Sequence, residues 1–193
     1  MKLSAWGVLV LGVLGSACIS YRGSAQSVTP STVRADAGWK RIDHLPPVHQ
    51  TGAKDCGAAA LSSVMVYWRR PPIAPALERE KIDAALRRSP DAGLTAGALR
   101  DYARKQGFHA YVFNGELADL RHEIDVGRPV IVGVHKELSS KKFLSHYEVV
   151  VGFHPRDQLV LLYDPARGLT ENRVSGFLEE WKRAGQTTLV VAP

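Results

Sequence analysis

Cysteine is scarce in this chain, with only two residues, at positions 18 and 56, among 193. If the N-terminal segment is removed, or if Cys18 is modified, Cys56 has no cysteine left with which to form an intramolecular disulfide. A buried and inert thiol is common in proteins, so Cys56 alone indicates structure as readily as chemistry. Its sequence neighbours must decide between the two.

Several other patterns are missing as well. Beyond the N-terminus the sequence has no long apolar run, no Walker A motif, no internal repeat, and no close Cys-x-x-Cys or His-x-x-x-His pair. These absences count against further membrane spans, a P-loop nucleotide site, a repeat array and a common type of zinc site. A metal site built from Cys56, His146 and Asp164 is chemically possible, but we expect no metal and no cofactor.

The charge balance does not indicate a nucleic-acid partner. The formal net charge is +6, yet Lys and Arg are interspersed with Asp and Glu, as in residues 77–81, and form no basic stripe interleaved with aromatics. Solvated helix faces explain most of these charges, so we expect no nucleic-acid binding. The densest basic cluster, residues 136–142, is predicted to be a loop that could shape a cleft near His146.

The N-terminus is typical of an export signal. Met1 and Lys2 precede a short apolar run that ends at Leu14, too short and too rich in glycine to span a bilayer comfortably. The segment 14–18 resembles a bacterial lipobox in which Cys18 is lipidated, although Gly15 departs from the usual pattern. Ordinary cleavage after Ala17 or Ala25 is the alternative.

The sequence predicts three regions and a location outside the cytoplasm. We expect a signal peptide at residues 1–17, a flexible Ser/Thr/Gly/Ala-rich tether at 18–37, and one folded domain at 38–193. The residue after Cys18 is Ile19, which resembles lipoproteins sorted to an outer membrane. The predicted protein is therefore held at the periplasmic face of that membrane by lipid alone, or is otherwise secreted or periplasmic.

The apolar periodicity changes half-way along the domain. Four helices are predicted first, at residues 56–67, 77–86, 95–106 and 117–126. Predicted strands occupy residues 108–113, 129–134, 147–153, 159–164 and 187–191. Helices followed by an antiparallel sheet place the domain in the α+β class.

Cys56 lies in a block that favours a nucleophile. Asp55 is a good N-cap, so the thiol would lie in the first turn of a helix, where free N–H groups and the macrodipole lower a thiol pKa. Gly57 keeps the start of that helix thin, leaving room for a substrate carbonyl. Six positions before Cys56, Gln50 could direct a side-chain N–H at the oxyanion that forms when the thiolate attacks.

A base and an orienting acid are predicted on neighbouring strands. His146 begins one apolar strand and Asp164 ends the next, so a hairpin would bring the two side chains together. The other histidines are weaker candidates: His135 and His154 have no acidic residue placed to orient them, and His49 and His109 are further rivals.

Two neighbours of His146 are candidates for the cleft. Tyr147 follows it directly, and Glu148 shares its strand face because side chains alternate along a strand. Glu148 could contact substrate or compete with Asp164 for His146, but a solvated strand edge is the favoured interpretation. Asp55 and Gly57 are also cleft candidates.

Together these residues resemble the peptidase C39 family of papain-like cysteine proteases. The matching segments are 48–50, 55–59, 94–107, 129–132, 146–147 and 164–165, in order across the domain. The resemblance implies a papain-like fold with N-terminal helices packed on a C-terminal antiparallel sheet. It also implies Cys56 as nucleophile, His146 as base and acid, Asp164 as orienter and Gln50 as oxyanion donor. Glu148 departs from the family, which usually has an apolar residue there.

The predicted function is an exported peptidase that cleaves a peptide or protein through an acyl-enzyme on Cys56. Members of the family that are fused to ABC transporters cut leader peptides after paired small residues, but this chain has no transporter part. Two alternatives remain open: an acyl transferase with the same thioester chemistry, and a tethered module that binds peptide without turnover. The oligomeric state and the substrate stay open too.

Overall fold

The computed structural model describes residues 24–69, 74–89, 91–139 and 141–193. The predicted signal peptide and the predicted lipidation at Cys18 lie outside these residues. Within the described ranges, no helix combines the length and the apolarity needed to cross a membrane.

One antiparallel sheet organises the described part of the chain. Its strands are β1 (Gln26–Ser27), β2 (Lys40–Arg41), β3 (His109–Asn114), β4 (Val130–Ser139), β5 (Lys142–His154), β6 (Leu159–Asp164), β7 (Gly168–Arg173) and β8 (Thr187–Ala192). Their spatial order is β1-β7-β6-β5-β4-β8-β3, and β2 pairs with the end of β5. All five predicted strands are confirmed. The short β1 and β2, and β7, were not predicted.

The β4–β5 hairpin is longer than the sequence indicated. Val130 pairs with Val150 at its base, and Ser139 pairs with Lys142 near its tip. The predicted loop at residues 136–142 is therefore wrong, because most of that segment is strand. Polar and basic residues hid the strand period there. On its other side β5 pairs with β6 only from Val149 to His154, so the part that carries His146 has an open edge.

The helices match the prediction closely at the N-terminal side of the domain. They are α1 (Pro30–Ala35), α2 (Cys56–Trp68), α3 (Pro75–Leu86), α4 (Ala96–Lys105), α5 (Leu117–Asp125) and α6 (Val174–Arg183). The four predicted helices are confirmed to within about two residues at each end. The first turn of α4 is capped by Thr95, whose hydroxyl accepts the Ala98 N–H, and the chain leaves that helix through Gly107 at a φ of 88°.

Helices cover both faces of the sheet. On one face α2, α3 and α4 bury Leu61, Ile82 and Leu99 against sheet residues such as Ile131 and Val149. On the other face α5 and α6 bury a second apolar cluster, consisting of Leu120, Ile124, Phe177 and Trp181 against Val132, Val150 and Leu162. The α+β class is confirmed, with α2 carrying Cys56 to one edge of β5.

Helix α6 was missed from the sequence, although a signal was present. Val174, Phe177 and Trp181 follow the i, i+3, i+7 spacing of an amphipathic helix, and all three are buried. The segment is flanked closely by β7 and β8, which left only ten residues for the period to show.

Residues 24–37 differ from the flexible tether that was expected. Strand β1 pairs with β7, and Val33 of α1 is buried in the apolar core. The Thr29 hydroxyl accepts the Thr32 N–H at the start of α1. A Ser- and Thr-rich composition here reflects caps and an edge strand rather than a linker.

Candidate active site

Cys56 is the first residue of α2, and its sulfur faces backbone donors. The backbone N–H groups of Tyr147 and Gly57 lie near enough to the thiol to lower its pKa. The Tyr147 N–H comes from the open edge of β5, so this contact joins the tip of the helix to the strand that carries His146. A helix N-terminus and a free sheet edge therefore meet at the sulfur.

The expected lowering of the thiol pKa is wrong in sign. Burial raises the pKa of Cys56 above its ordinary value, and the charge of Asp55 adds to the rise. The N–H groups of Tyr147 and Gly57 lower it but do not compensate. The sequence indicated the donors correctly and missed the desolvation, because burial depends on packing by distant residues.

His146 and Asp164 are hydrogen-bonded as the hairpin predicted. His146 Nε2 and Asp164 Oδ1 are 2.7 Å apart, and both residues are buried. Asp164 Oδ1 also accepts the Ala166 N–H at 2.8 Å, which fixes the carboxylate from the turn that follows β6. The bond holds one of the two ring nitrogens and so orients the imidazole.

Burial dominates the titration of this pair. It lowers the pKa of His146 to about 4, with Glu148 raising and Lys136 lowering that value. It raises the pKa of Asp164 to about 6, against the backbone N–H of Ala166 and the charge of Arg167, which lower it. Above pH 6 the resting pair is a neutral imidazole beside a carboxylate, which is the protonation state of a general base.

Cys56 and His146 line the same cleft, which has a volume of about 470 Å³. Its other walls come from the loop before α2, the segment before α4, the β4–β5 hairpin and the start of β8. They include Lys54, Leu94, His135, Phe143 and Thr187. A second cavity of about 230 Å³ lies beneath α1 and is lined mostly by apolar residues, none of them a predicted site residue. The cleft over Cys56 is where a substrate would meet the thiol.

Gly57 and Tyr147 fit together closely at this cleft. A Cβ at position 57 would lie 3.1 Å from Tyr147 Cδ2 and 3.3 Å from Leu99 Cδ1. Burial raises the pKa of the Tyr147 hydroxyl to about 12, and the backbone N–H of Ala96 in α4 opposes the rise. The absence of a side chain at Gly57 therefore lets the ring of Tyr147 bridge α2 and α4 beside the sulfur. The thin helix start predicted from the sequence is present.

Gln50 lies beside the residue that follows Asp164, but it does not line the cleft. Its Nε2 donates to the carbonyl of Gly52 at 2.9 Å, while its backbone N–H donates to the Pro165 carbonyl at 2.9 Å. Its side-chain oxygen is buried and has no hydrogen-bond partner among the described residues. The oxyanion role of Gln50 stays a prediction that requires the side chain to release Gly52.

Asp55 orders the loop rather than the helix. Its side chain makes no capping bond to α2, and only its carbonyl joins the helix, accepting the Ala59 N–H. The carboxylate instead accepts the backbone N–H and hydroxyl of Thr51 and the N–H of Gly52, all at 2.9–3.0 Å. Asp55 is buried and fixes the path from Gln50 to Cys56, so its predicted role as a side-chain cap is wrong.

Arg79 is a residue of this region that the sequence did not reveal. It is buried on α3 and donates to the His49 carbonyl at 3.0 Å. The bond pins the segment that leads into Gln50. The charge-rich pattern of α3 concealed it, since a buried arginine cannot be told from a solvated one by spacing.

Glu148 does not lie at a solvated strand edge, as was expected. It is fully buried, and its Oε1 lies 2.8 Å from the ammonium of Lys136. Lys136 is also fully buried and lies 2.6 Å from Glu180 of α6. The prediction failed because α6, which covers this face and supplies Glu180, was not recognised.

His154 also differs from expectation, since acidic residues do flank it. It ends β5 rather than lying in a turn, and its ring nitrogens lie 3.3 Å from carboxylate oxygens of Asp36 and Asp157. Its ring packs edge-on against Trp39. Both carboxylates are exposed, and the group is remote from Cys56 in the sheet, so His146 remains the candidate base.

Two groups of side chains in the described ranges have donor atoms within 4.8 Å of one another, close enough to hold a metal ion. One is Asp36, His154 and Asp157; the other is His146, Glu148 and Asp164. In the second group both carboxylates already have partners. Lys136 supplies the positive charge next to Glu148, and Asp164 is hydrogen-bonded to His146. Cys56, which the sequence allowed as a ligand, is in neither group.

Comparison with protein-family models adds an independent result. The model of the peptidase C39 family matches residues 44–193, which hold Cys56, His146 and Asp164. The chain belongs to the peptidase C39 family. The fold and the family predicted from the sequence are confirmed, and the match includes strands β3 to β8 together with α2 to α6.

Solved structures of C39 domains share the fold. The peptidase domain of Streptococcus ComA, a bifunctional ABC transporter involved in a quorum-sensing pathway, is 27% identical with a TM-score of 0.59. The match covers 78% of this chain and 99% of that domain. A C39-like peptidase from Bacillus anthracis has a TM-score of 0.61 at 15% identity, covering 79% and 96% of the two chains.

A third neighbour contains a bound peptide. It is a double-glycine-motif protease from an AMS/PCAT transporter in complex with a leader peptide, 21% identical with a TM-score of 0.56, covering 79% of this chain and 94% of that one. Among curated proteins, none matches this chain.

Proposed function

We propose that this protein is a thiol-dependent peptidase that acts through an acyl-enzyme on Cys56. One observation carries the proposal. The Cys56 thiol and the imidazole of the hydrogen-bonded His146–Asp164 pair line the same cleft, which has a volume of about 470 Å³. Membership of the C39 family supports the same reaction class.

The pKa directions define how acylation would start. Since burial raises the pKa of Cys56 and lowers that of His146, the resting pair is a neutral thiol and a neutral imidazole. His146 then takes the thiol proton as the sulfur attacks the scissile carbonyl carbon. Asp164 stabilises the imidazolium formed in that step. The oxyanion would be met by the N–H groups at the start of α2, with Gln50 as a second donor once it leaves Gly52.

The remaining steps return the site to its starting state. The tetrahedral intermediate collapses when the imidazolium of His146 gives its proton to the leaving amine, which leaves a thioester on Cys56. A water molecule then attacks the thioester carbonyl while His146 takes one water proton. Collapse of the second intermediate releases the acid and restores the thiol. Each proton taken by His146 is thus returned within the cycle.

The substrate class proposed is a peptide or an unfolded segment of a protein. The open cleft is lined by residues 133–135 and 143–147 of the β4–β5 hairpin, and β6 leaves the edge of β5 before Val149 unpaired, so this edge offers main-chain partners to an extended chain. The structural neighbour that holds a leader peptide supports this class.

A peptide library tests the proposal directly. Purified full-length protein and its Cys56→Ala variant are incubated with a mixture of peptides, and products are mapped by mass. We expect cleavage by the wild type only, and a thioester adduct on Cys56 after acid quenching. Products that carry an added amine would show acyl transfer instead, and peptide binding without products from either protein would show a binding module.

We further propose that the protein is exported and lipid-anchored at Cys18. Support comes from the sequence of residues 1–18 alone. Metabolic labelling with a fatty acid should modify the wild type and not Cys18→Ser. Label that persists in the variant, or is missing from both, would contradict the anchor.

A further inference from the structure

A buried charge cluster lies directly behind the His146–Asp164 pair. Lys136 of β4 and Glu148 of β5 are fully buried, and Lys136 Nζ lies 2.8 Å from Glu148 Oε1 and 2.6 Å from Glu180 Oε2. One donor atom each of His146, Glu148 and Asp164 lies within 4.8 Å of the others. Glu148 is thus a second carboxylate at the imidazole, on the same strand and two residues further on.

Glu148 is incompletely satisfied in the resting structure. Its Oε2 is buried and has no hydrogen-bond partner among the described residues. Buried carboxylate oxygens without partners are costly, and a positive charge formed nearby would relieve the cost. The charge expected nearby is the imidazolium of His146, formed when that residue takes the thiol proton.

The charges inside the cluster favour the same role. With both carboxylates ionised, Glu148 and Glu180 carry two negative charges against the single positive charge of Lys136, which lies within 2.8 Å of each. Burial lowers the pKa of Lys136, but the two glutamates outweigh it and raise that pKa above the ordinary value. Arg167 and Arg183 act on Asp164 and on Glu180 respectively. An imidazolium at His146 would add a positive charge beside Glu148.

We propose that Glu148, held in place by Lys136, is a positioning residue that stabilises the imidazolium of His146 when Cys56 loses its proton. The inference rests on the proposed peptidase function, which makes His146 the base. The charged groups near His146 are Asp164 from β6, Lys136 from β4 and Glu148 on its own strand, and Cys56 of α2 lines the same cleft. Of these Glu148 raises the imidazole pKa and Lys136 lowers it.

A double-mutant cycle tests the proposal. The rate of Cys56 alkylation by iodoacetamide at neutral pH is measured for the wild type, Glu148→Gln, His146→Ala and the combined variant. We expect Glu148→Gln to slow alkylation about tenfold, equivalent to about one pKa unit or 1.4 kcal/mol. In the His146→Ala background, Glu148→Gln should leave the alkylation rate unchanged or make it slightly faster. Without the imidazole, the only remaining effect of Glu148 is to repel the thiolate.

Glu180→Gln is the matched control. It removes a carboxylate from the same lysine but leaves the Lys136–Glu148 pair, so alkylation should stay within about twofold of the wild type. If Glu148→Gln does not fold, the variant Glu148→Met removes the carboxylate with a side chain of similar volume and leaves Lys136 paired with Glu180. Its folding is judged by thermal melting, and the same slowing is expected.

The outcomes separate this inference from the proposed function. Equal slowing by Glu148→Gln in both backgrounds, or no slowing in either, would overturn the role of Glu148 while leaving His146 as the base. A wild-type rate that is unchanged by His146→Ala would overturn the peptidase proposal itself. Slowing that depends on His146 and is absent from Glu180→Gln supports the inference.

Discussion

Replacing Asp164 by Asn is predicted to make the protein more stable at neutral pH and less reactive. Burial raises the pKa of Asp164 from 3.8 to about 6, a shift that corresponds to roughly 3 kcal/mol of unfavourable free energy for the ionised form in the folded state. Asn has the same shape and retains an oxygen for the Ala166 N–H, but carries no charge. An amide oxygen accepts the hydrogen bonds of His146 and Ala166 less strongly than a carboxylate does, so we expect a net gain of about 1–2 kcal/mol.

The sign of the pH dependence follows from the raised pKa. A folded-state pKa above the unfolded value means that the stabilising contribution of Asp164 is complete below pH 3.8 and is lost as the pH rises through 6. The advantage of Asp164→Asn should therefore be largest above pH 7 and should disappear near pH 4. Urea unfolding of both proteins between pH 4 and 8 measures it.

The same substitution should impair chemistry at the cleft. A charge about 4 Å from the imidazolium is worth about 4 kcal/mol at an effective dielectric constant of 20, so alkylation at pH 7.5 should fall about 10²–10³-fold. The acid limb of the wild-type profile, expected near pH 6 for the coupled pair, should move toward the lowered pKa of His146, near 4.

An exposed carboxylate provides the control. Asp157→Asn, beside His154, should show neither the gain in stability nor the loss of reactivity. The opposite result would be an Asp164→Asn variant that is less stable than the wild type at pH 7.5, by an amount that does not vary with pH. In that case the partners of the carboxylate stabilise the folded state by more than burial of its charge destabilises it, and the prediction is wrong.

Three further predictions concern residues that precede or follow Cys56 in the sequence. Gly57→Ala should slow alkylation and lower the melting temperature, because the new Cβ lies 3.1 Å from a Tyr147 carbon that packing holds in place. Asp55→Ala should cost about 2–4 kcal/mol in urea unfolding by leaving three donors without their acceptor, whereas Thr51→Val, which loses one of them, should cost under about 1.5 kcal/mol. Gln50→Ala should lower kcat for a cleaved peptide about 10²–10³-fold with little change in melting temperature, and an unchanged kcat would remove Gln50 from the oxyanion site.

Much of this fold was readable from the sequence because its strongest signals are local. The helix that begins at Cys56 has a run of small and apolar residues that stops before two prolines, and the strands that bear His146 and Asp164 are short, mostly apolar runs. Their hairpin fixes which residues become neighbours, so the pairing of His146 with Asp164 needed no long-range information. The 2.7 Å bond between them lies just beyond the last β5–β6 pair, Val149 with Tyr163.

The errors share a different cause, which is contact between distant parts of the chain. The burial of Glu148 depends on α6, more than twenty-five residues later, and on Lys136 across the hairpin. The raised pKa of Cys56 likewise comes from desolvation by several elements rather than from the helix turn it begins. Asp55 was assigned to the nearest helix because spacing cannot show that a carboxylate turns back to its own loop.

The second-order rate constant for alkylation of Cys56 at pH 7.5 is the most direct test of the account, with modification at Cys18 separated by peptide mapping. Since the thiol pKa is raised, the account predicts a fast rate for the wild type only because His146 removes the proton, and a fall of at least tenfold in His146→Ala. A rate typical of an ordinary thiol that is the same in both proteins would contradict it.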